Sequence, residues 1–190
     1  MGPMTSSAAG RSSDDDQALI VERLDATATA DALDGLVDVL RDVVDGGASV
    51  GFLAPLSVPL AQAFWRGVGE RVGRGEVALF VARDDRGIAG TVQLHLAMPA
   101  NQPHRSEIAK LLVHRRARGA GVAGRLMARA EIEAMTLGKT LLVLDTVVGS
   151  IADSLYQRLG WTRVGVIPDY ALFPDGRLCD SALFYKRLSG

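Results

Sequence analysis

The sequence predicts an α/β fold in one domain, with a mixed, mostly antiparallel sheet of about seven strands and about four helices. Two observations favour this fold. In the first half, two strand-like segments are joined by Asp84-Asp85-Arg86-Gly87, a hairpin signal that makes them antiparallel. A strand–helix–strand unit occurs only later, around residues 107–144, and one such unit supplies one parallel pair. The sheet is therefore expected to be antiparallel except at one place.

The first half of the chain is predicted to form three strands and two helices. From Asp25 to Val44 apolar residues recur at helical spacing, and Gly46 follows as a stop signal. Pro59 opens a second helix at its first turn, where a missing N–H group is tolerated. The strand-like runs are residues 18–21, 77–83 and 90–98.

The second half is predicted to form the remaining strands and a long helix. A glycine-rich segment runs into a helix that continues to Leu137, with Arg125, Arg129 and Glu133 on its outer face. An apolar run before Asp145 suits a buried strand. The predicted strands are residues 107–113, 141–144, 162–166 and 182–185.

A short helix is predicted between the last two pairs of strands. It spans residues 150–159 and ends at Gly160, a residue type that often closes helices. Its core stripe is expected to consist of Ile151, Leu155 and Leu159. Tyr156 lies about 100° round the helix from Leu155, so we expect it at the edge of that stripe.

The composition favours one domain in a reducing compartment. The chain has 190 residues, of which 48% are hydrophobic, which is enough to bury one core. Residues 1–17 are polar and Ser-rich, and they are predicted to be a disordered tail before a domain at residues 18–190. A single cysteine, Cys179, allows no intrachain disulfide, so a cytoplasmic location is expected.

Charge and residue spacing exclude several function classes. A net charge of −1 gives no general attraction to nucleic acid, and no apolar run approaches the ~20 residues that a membrane helix needs. The histidines, His95, His104 and His114, lack metal-ligand spacing, so no metal is expected. We therefore expect no nucleic-acid and no membrane partner, while a homodimer stays open.

The glycine-rich segment Gly119-Ala120-Gly121-Val122-Ala123-Gly124 fits two different motifs. The first is the G-x-G-x-x-G fingerprint of a dinucleotide-binding Rossmann fold, with Asp145 placed where a ribose-binding acid would follow. In that fold the first glycine turns directly off the strand. Here residues 114–118 intervene, and too few strand–helix units follow. The Rossmann interpretation is therefore the weaker one.

The second motif is the acyl-CoA pattern [Q/R]-x-x-G-x-[G/A], which Arg116, Gly119 and Gly121 satisfy. At such a loop several unpaired N–H groups and the helix dipole converge on one anion, here a pyrophosphate. The glycines let the phosphates approach the backbone without a Cβ in the way. Arg116 and Arg118 are expected to add positive charge at the mouth. This interpretation predicts a coenzyme A derivative as the ligand.

These residues resemble the cofactor motif of the GNAT acetyltransferase family. Leu111-Leu112-Val113 precedes the glycine loop, and Ala152-x-x-x-Tyr156-x-x-x-Gly160-Trp161 resembles the next motif of that family. The resemblance implies acetyl-CoA as cosubstrate and a GNAT-like sheet with a splayed central strand pair. It also implies that the cofactor lies against Leu111, Leu112, Val113, Arg116, Arg118, Gly119, Ala120, Gly121, Val122, Ala123, Gly124 and Ser150.

Other segments resemble the tabtoxin-resistance acetyltransferases, which acetylate a β-lactam amino acid. They are residues 46–52, 144–146, 162–165 and 174–178. Two positions depart from the family pattern: Arg115, where members often carry proline, and Gly149, where many carry a cofactor-contacting asparagine. The resemblance implies a small amino-acid-like amine as the acceptor.

Acetyl transfer to an amine needs a proton acceptor for the amine and a donor for the departing thiol. Glu107 and Asp145, on two predicted neighbouring strands, are the candidate acceptors, and Tyr156 is the candidate donor. In the tabtoxin-resistance-like pattern these residues match the catalytic positions. Lys110 and Lys139 show no neighbouring signal for a lowered pKa, so neither is assigned a nucleophilic role. A non-catalytic acyl-CoA sensor is the alternative function.

Overall fold

The computed structural model describes residues 19–189. The predicted tail, residues 1–17, lies outside the described residues, as does Ala18 of the first predicted strand. The strands are β1 (Ile20–Leu24), β2 (Val77–Asp84), β3 (Gly87–His95), β4 (Arg105–Val113), β5 (Leu141–Val147), β6 (Thr162–Leu172) and β7 (Leu178–Arg187). The helices are α1 (Ala26–Asp31), α2 (Leu33–Asp45), α3 (Val58–Gly73), α4 (Val122–Thr136) and α5 (Ile151–Arg158), and a 3-10 turn covers Arg115–Ala117.

The seven strands form one sheet in the order β1-β2-β3-β4-β5-β7-β6. Every pairing is antiparallel except that between β4 and β5, as the sequence predicts. This topology excludes the Rossmann alternative, because a doubly wound sheet needs several parallel neighbours. It confirms the predicted single α/β domain.

Two apolar layers cover the two faces of the sheet. On one face α1, α2 and α3 pack around Leu36, Leu40 and Trp65, all of which are fully buried. On the other face α4 and α5 pack against Phe80 and Phe184. Because strand side chains alternate, β2 places consecutive residues in the two layers and is buried along most of its length.

The helix predicted from Asp25 to Val44 is in fact two helices, which is why the structure has five helices rather than four. The break is at Ala32, which ends α1 and begins α2. The change of direction lets α1 pack against α3, where Thr29 is buried close to Gly69. Helical periodicity continues across the break because each half keeps an apolar face, so the pattern conceals it.

The last two strands extend well beyond their predicted bounds. Strand β6 continues to Leu172 and pairs with β7 as far as the Leu172–Leu178 register, with irregularities after Arg163 and after Ile167. Pro168 is tolerated because β6 is an edge strand and because the proline lies in the second irregular region of the pairing.

Two predicted helix faces are also corrected. Glu133 is not on the outer face of α4 but is buried, with its carboxylate bonded to Arg23 and Arg129. On α5, Ile151 is 77% exposed, whereas Tyr156 is 4% exposed. The buried face of α5 is therefore centred on Tyr156 and not on the predicted stripe.

Candidate active site

The sheet opens at its centre, between β4 and β5. The two strands pair only from Arg105–Leu141 to Glu107–Val143, although β4 continues to Val113 and β5 to Val147. Beyond Glu107 they diverge and leave their facing backbone edges unpaired with each other. The structure thus contains the splayed central pair that the family resemblance implies.

A bulge in β4 lies at the start of this opening. Thr91 of β3 pairs with Leu112, but Gln93, two residues on, pairs with Ala109, so β4 holds one extra residue. Lys110 takes up the excess with a left-handed φ of 50°, which is uncommon for a residue with a side chain. The Thr91 hydroxyl donates a hydrogen bond of 3.0 Å to the Lys110 carbonyl and holds the bulge in place.

Two adjoining cavities occupy the opening. The first, of about 420 Å³, contains Lys110, Asp145 and Tyr156 in its lining. The second, of about 530 Å³, lies over the glycine-rich loop and the first turn of α4. Both are bordered by Ser150 and by residues 47–48 of the α2–α3 connection. The two cavities share lining residues and together offer one site, with the first cavity at one end and the glycine loop at the other, the loop end.

The loop end has the features of a phosphate cradle. Gly121 is the N-cap of α4 with a φ of 74°, and no side chain caps the helix there. Gly119 also has a positive φ, of 82°, and a Cβ added at either glycine would meet no protein atom within 4 Å. The space above the loop is therefore open, and the first amides of α4 face it with the positive end of the helix dipole. The residues present fit a pyrophosphate.

After Gly119 the loop contains four glycine or alanine residues, Ala120, Gly121, Ala123 and Gly124, and three of them line the second cavity. Its lining includes Leu111, Leu112, Val113, Arg118, Gly119, Gly121, Val122, Ala123 and Gly124, all of them predicted cofactor-binding residues. Ala120 is exposed and is not part of the lining. Ser150 borders both cavities and caps α5 by accepting a hydrogen bond from the Asp153 amide.

The structure does not bring the Arg116 side chain into either cavity. Its guanidinium pairs with the Asp84 carboxylate and donates to the Ile88 carbonyl at 3.1 Å. The hydrogen bond from Arg116 holds the pKa of Asp84 below its usual value. Arg116 thus fastens the loop to the β2–β3 turn. Positive charge at the second cavity comes instead from Arg118 and Arg158.

Arg115, which stands where family members often carry proline, ties the loop to α2. Its amide and its guanidinium donate to the two Asp42 carboxylate oxygens at 2.7 and 2.8 Å. Burial would raise the pKa of Asp42, but these hydrogen bonds and the nearby charges outweigh it, and the pKa lies below its usual value. A prolyl nitrogen could not donate the first of these bonds.

Of the predicted catalytic residues, Asp145 and Tyr156 line the first cavity and Glu107 does not. Asp145 is exposed at the end of β5 and accepts a hydrogen bond of 2.8 Å from Ser181 of β7. Glu107 is half-buried at the last paired position of β4, where the opening begins. The two acids therefore lie on the two diverging strands. Asp145 lines the cavity, whereas Glu107 lies where the strands last pair.

Tyr156 packs its ring between Trp161 and Phe184, with centroid distances of 5.9 Å to each. Its hydroxyl has no hydrogen-bond partner among residues 19–189, although the side chain lines the first cavity. Burial, and to a lesser degree the Asp145 charge, raise the pKa of Tyr156 well above its usual value. The phenol therefore keeps its proton over the physiological range.

Sequence reasoning missed three contributors to the site. The α2–α3 connection, residues 47–51, borders the first cavity, and its only signal was the family resemblance of residues 46–52. Arg158 reaches the second cavity from the end of α5. Lys110 lies in the first cavity, and burial lowers its pKa, contrary to the sequence-based expectation. Each depends on contacts between distant segments.

The family of the chain follows from comparison with known proteins. The model of the acetyltransferase (GNAT) family matches residues 53–161, which is more than half of the chain. The chain belongs to the GNAT acetyltransferase family. It is an acetyl-CoA-dependent N-acetyltransferase, as the glycine loop and the following motif predicted.

Individual relatives agree with this assignment. An uncharacterized N-acetyltransferase from the hisH-hisA intergenic region of Azospirillum brasilense is 36% identical over 127 residues, covering 66% of this chain and 73% of that protein. A ribosomal-protein-alanine N-acetyltransferase from Brucella melitensis has the same fold, with a TM-score of 0.74 and 20% identity. The match covers 90% of this chain and 100% of that one. A phosphinothricin acetyltransferase from Sinorhizobium meliloti, solved with acetyl-CoA, also has this fold, with a TM-score of 0.73 and 18% identity. The match covers 90% of this chain and 89% of that one.

Two further observations concern alternative kinds of site within the described residues. None of the helices between residues 19 and 189 has the length and apolar character needed to cross a membrane. Over the same range, no group of three or more His, Cys, Asp or Glu side chains is arranged to hold a metal ion.

The glycine cradle leads to a prediction about cofactor affinity. Gly121→Val places a branched side chain in the open space above the loop, so acetyl-CoA affinity should fall by at least about tenfold. Calorimetric titration measures it. Gly138→Val is the matched control, because Gly138 also has a positive φ, of 71°, and open surroundings, but lies at the far end of α4. Equal affinity losses in both variants would contradict a phosphate cradle at Gly121.

Proposed function

We propose that the enzyme acetylates the free amine of a small amino-acid-like acceptor, of the kind that the tabtoxin-resistance acetyltransferases modify. The observation that carries this proposal is the first cavity, which is small, lies in the strand opening and contains Asp145 and Tyr156. It adjoins the second cavity, which lies over the glycine loop, so an amine seated in the first cavity would meet the reactive end of a ligand held at the loop.

The size and charge of the first cavity support a small acceptor. It occupies about 420 Å³, part of which the reactive end of the cosubstrate would fill. Among the described residues, Asp145 is the one carboxylate in its lining. A polycationic acceptor such as an aminoglycoside would leave most of its charges without a partner there. A small amine with one positive charge fits better.

We assign the proton transfers to Asp145 and Tyr156, which line this cavity, and to Glu107, which lies where β4 and β5 last pair. Acetyl-CoA supplies the acetyl group as an activated thioester. Asp145, directly or through water, accepts the proton that an ammonium must lose before its nitrogen can attack, and Glu107 shares this role. The nitrogen–carbon bond forms as the carbon–sulfur bond breaks, and the sulfur keeps the bonding electron pair.

Tyr156 stabilises the departing sulfur. Its hydroxyl proton has no other partner among residues 19–189, and the raised pKa keeps that proton in place until the sulfur develops charge. The overall reaction converts an ammonium and a thioester into an amide, a thiol and one proton released to water. Main-chain groups of β4 after the bulge, at residues 111–113, are the proposed seat of the cofactor arm.

The test is an acetyl-transfer assay that measures coenzyme A release across free amino acids, short peptides and aminoglycosides. We expect turnover on free amino-acid amines, with kcat/KM at least about tenfold above that on peptides of the same N-terminal residue. Turnover on peptides or aminoglycosides alone would refute the acceptor class. Binding of acetyl-CoA without turnover on any amine would favour the sensor alternative.

A further inference from the structure

Lys110 is the second charged residue of the first cavity, and the reaction assigned above does not use it. It takes up the bulge of β4, and the side chain extends into the cavity below the α2–α3 connection. Nζ lies beside Gly51 of this connection, where an added Cβ would be 3.6 Å away, at ordinary contact distance. On its other side, Nζ lies 5.8 Å from the centroid of the Phe64 ring.

The backbone at Lys110 indicates that the side chain is present for a reason other than the turn. A left-handed φ favours glycine, asparagine or aspartate, and a long side chain is conformationally unfavourable there. The bulge would form more readily with glycine. A lysine at this position therefore adds a cation to the cavity at the expense of local conformational energy.

The Lys110 ammonium has neither a hydrogen bond nor an ion pair with any of residues 19–189. A half-buried cation without a partner is unfavourable, and the Phe64 ring compensates for only part of that cost. Burial lowers the pKa of Lys110, while the carboxylates of Asp145 and Glu107 act in the opposite direction. An anion that entered the cavity would provide the missing hydrogen-bond acceptor.

Lys110 and Asp145 are the charged side chains in the described lining of the first cavity, one of each sign. They do not pair with each other, although each lies within range of the other's field. The phosphate-facing cations, Arg118 and Arg158, belong to the second cavity and not to the first. An anion bound by Lys110 would therefore belong to the acceptor and not to the cofactor phosphates.

We propose that Lys110 binds the carboxylate of the acceptor while Asp145 receives its ammonium, which makes the enzyme selective for zwitterionic amino acids over neutral or carboxamide-blocked amines. This inference rests on the proposed function and adds a specificity-determining residue to it. Lys110 thereby positions the amine toward the loop end of the site.

The test uses matched acceptor pairs, each a free amino acid and its carboxamide, with wild type, Lys110→Met, Lys110→Arg and Lys139→Met. Lys110→Met should raise KM for the free acid by about 10- to 100-fold and leave KM for the carboxamide and for acetyl-CoA unchanged. Lys110→Arg should restore part of the preference. Lys139→Met, which removes a cation outside both cavities, should behave as wild type.

The outcomes separate this inference from the proposed function. A wild type that acetylates the free acid and its carboxamide equally well would overturn the carboxylate contact and leave the small-amine function standing. Equal loss of kcat on both acceptors in Lys110→Met would instead indicate that Lys110 carries a proton, and that result would also overturn the carboxylate contact. A wild type that acetylates neither member of any pair, but does acetylate peptides, would overturn the proposed function and this inference together.

Melting temperature and direct binding guard against misfolding. Because Lys110 makes no side-chain hydrogen bond to residues 19–189, Lys110→Met should melt within a few degrees of wild type. Titration of an N-acetyl amino acid into the enzyme with coenzyme A measures the carboxylate contact without catalysis. Its affinity should fall by about tenfold or more in Lys110→Met, and unchanged affinity would overturn the inference.

Discussion

Tyr156→Phe is expected to lower kcat by about 10²- to 10⁴-fold while leaving acetyl-CoA affinity within a few-fold of wild type. The substitution keeps the ring between Trp161 and Phe184 and deletes only the hydroxyl. Since that hydroxyl makes no hydrogen bond to residues 19–189, stability should change little. The loss therefore measures what the hydroxyl does for the departing sulfur.

The control for Tyr156→Phe is Tyr185→Phe, which deletes a hydroxyl from β7 outside both cavities. It should leave kcat within about twofold of wild type. Because its pKa is raised, Tyr156 should not ionise below pH ~10, so removing it should not change the shape of the pH profile. Turnover within threefold of wild type in Tyr156→Phe would make the residue a packing group.

The double variant Glu107→Gln/Asp145→Asn is expected to lower kcat/KM at neutral pH by about 10²- to 10⁴-fold, which is the usual range for removal of a general base. Either single amide should cost much less, because water can relay the proton to the acid that remains. The measurement is a pH–rate profile of all three variants with one acceptor.

The pH dependence supplies the discriminating result. A base is needed only while the amine is protonated, so the defect of the double variant should shrink as the pH rises past the pKa of the acceptor's ammonium group. Asp34→Asn/Asp85→Asn, at two exposed acids, is a control with the same change in charge. A defect that stays constant across the pH range would exclude both acids as proton acceptors.

The features that the sequence predicts well are those that neighbouring residues encode. Alternation and helical spacing locate all seven strands and most helix ends, and the order of glycines locates the turn into α4 at Gly119 and Gly121. This part of the structure is predictable because a helix N-terminus and a left-handed glycine are local properties.

The α5 stripe shows where local periodicity fails. Ile151, Leu155 and Leu159 form one apolar row, but Ala152, Tyr156 and Leu159 form another at nearly the same spacing. The sheet selects the second row, since the Tyr156 ring packs against Phe184 of β7. That selection depends on the tertiary structure and is absent from the spacing.

The roles of three cations were equally inaccessible to sequence reasoning. Arg116 is expected from the sequence to add positive charge at the glycine loop, and Arg115 only departs from the family pattern, yet both pair with acids far away in sequence, Asp84 and Asp42. Lys110 looks like an ordinary strand lysine until β4 is seen to hold an extra residue. Long-range pairing determines each of these roles.

The extra residue in β4 divides that strand into two halves whose side-chain alternation is out of step. Ala109 and Leu112 face the same layer although they are three positions apart, so strict alternation of facing holds within each half of the strand but not across the junction. Loss of one residue here would give the whole strand one continuous alternation. The side chains on one side of the junction would then turn to the opposite face of the sheet. Divergence of this enzyme toward new acceptors is therefore expected to proceed by replacement of side chains at residues 107–113, whereas changes of length are confined to the connections that surround the site.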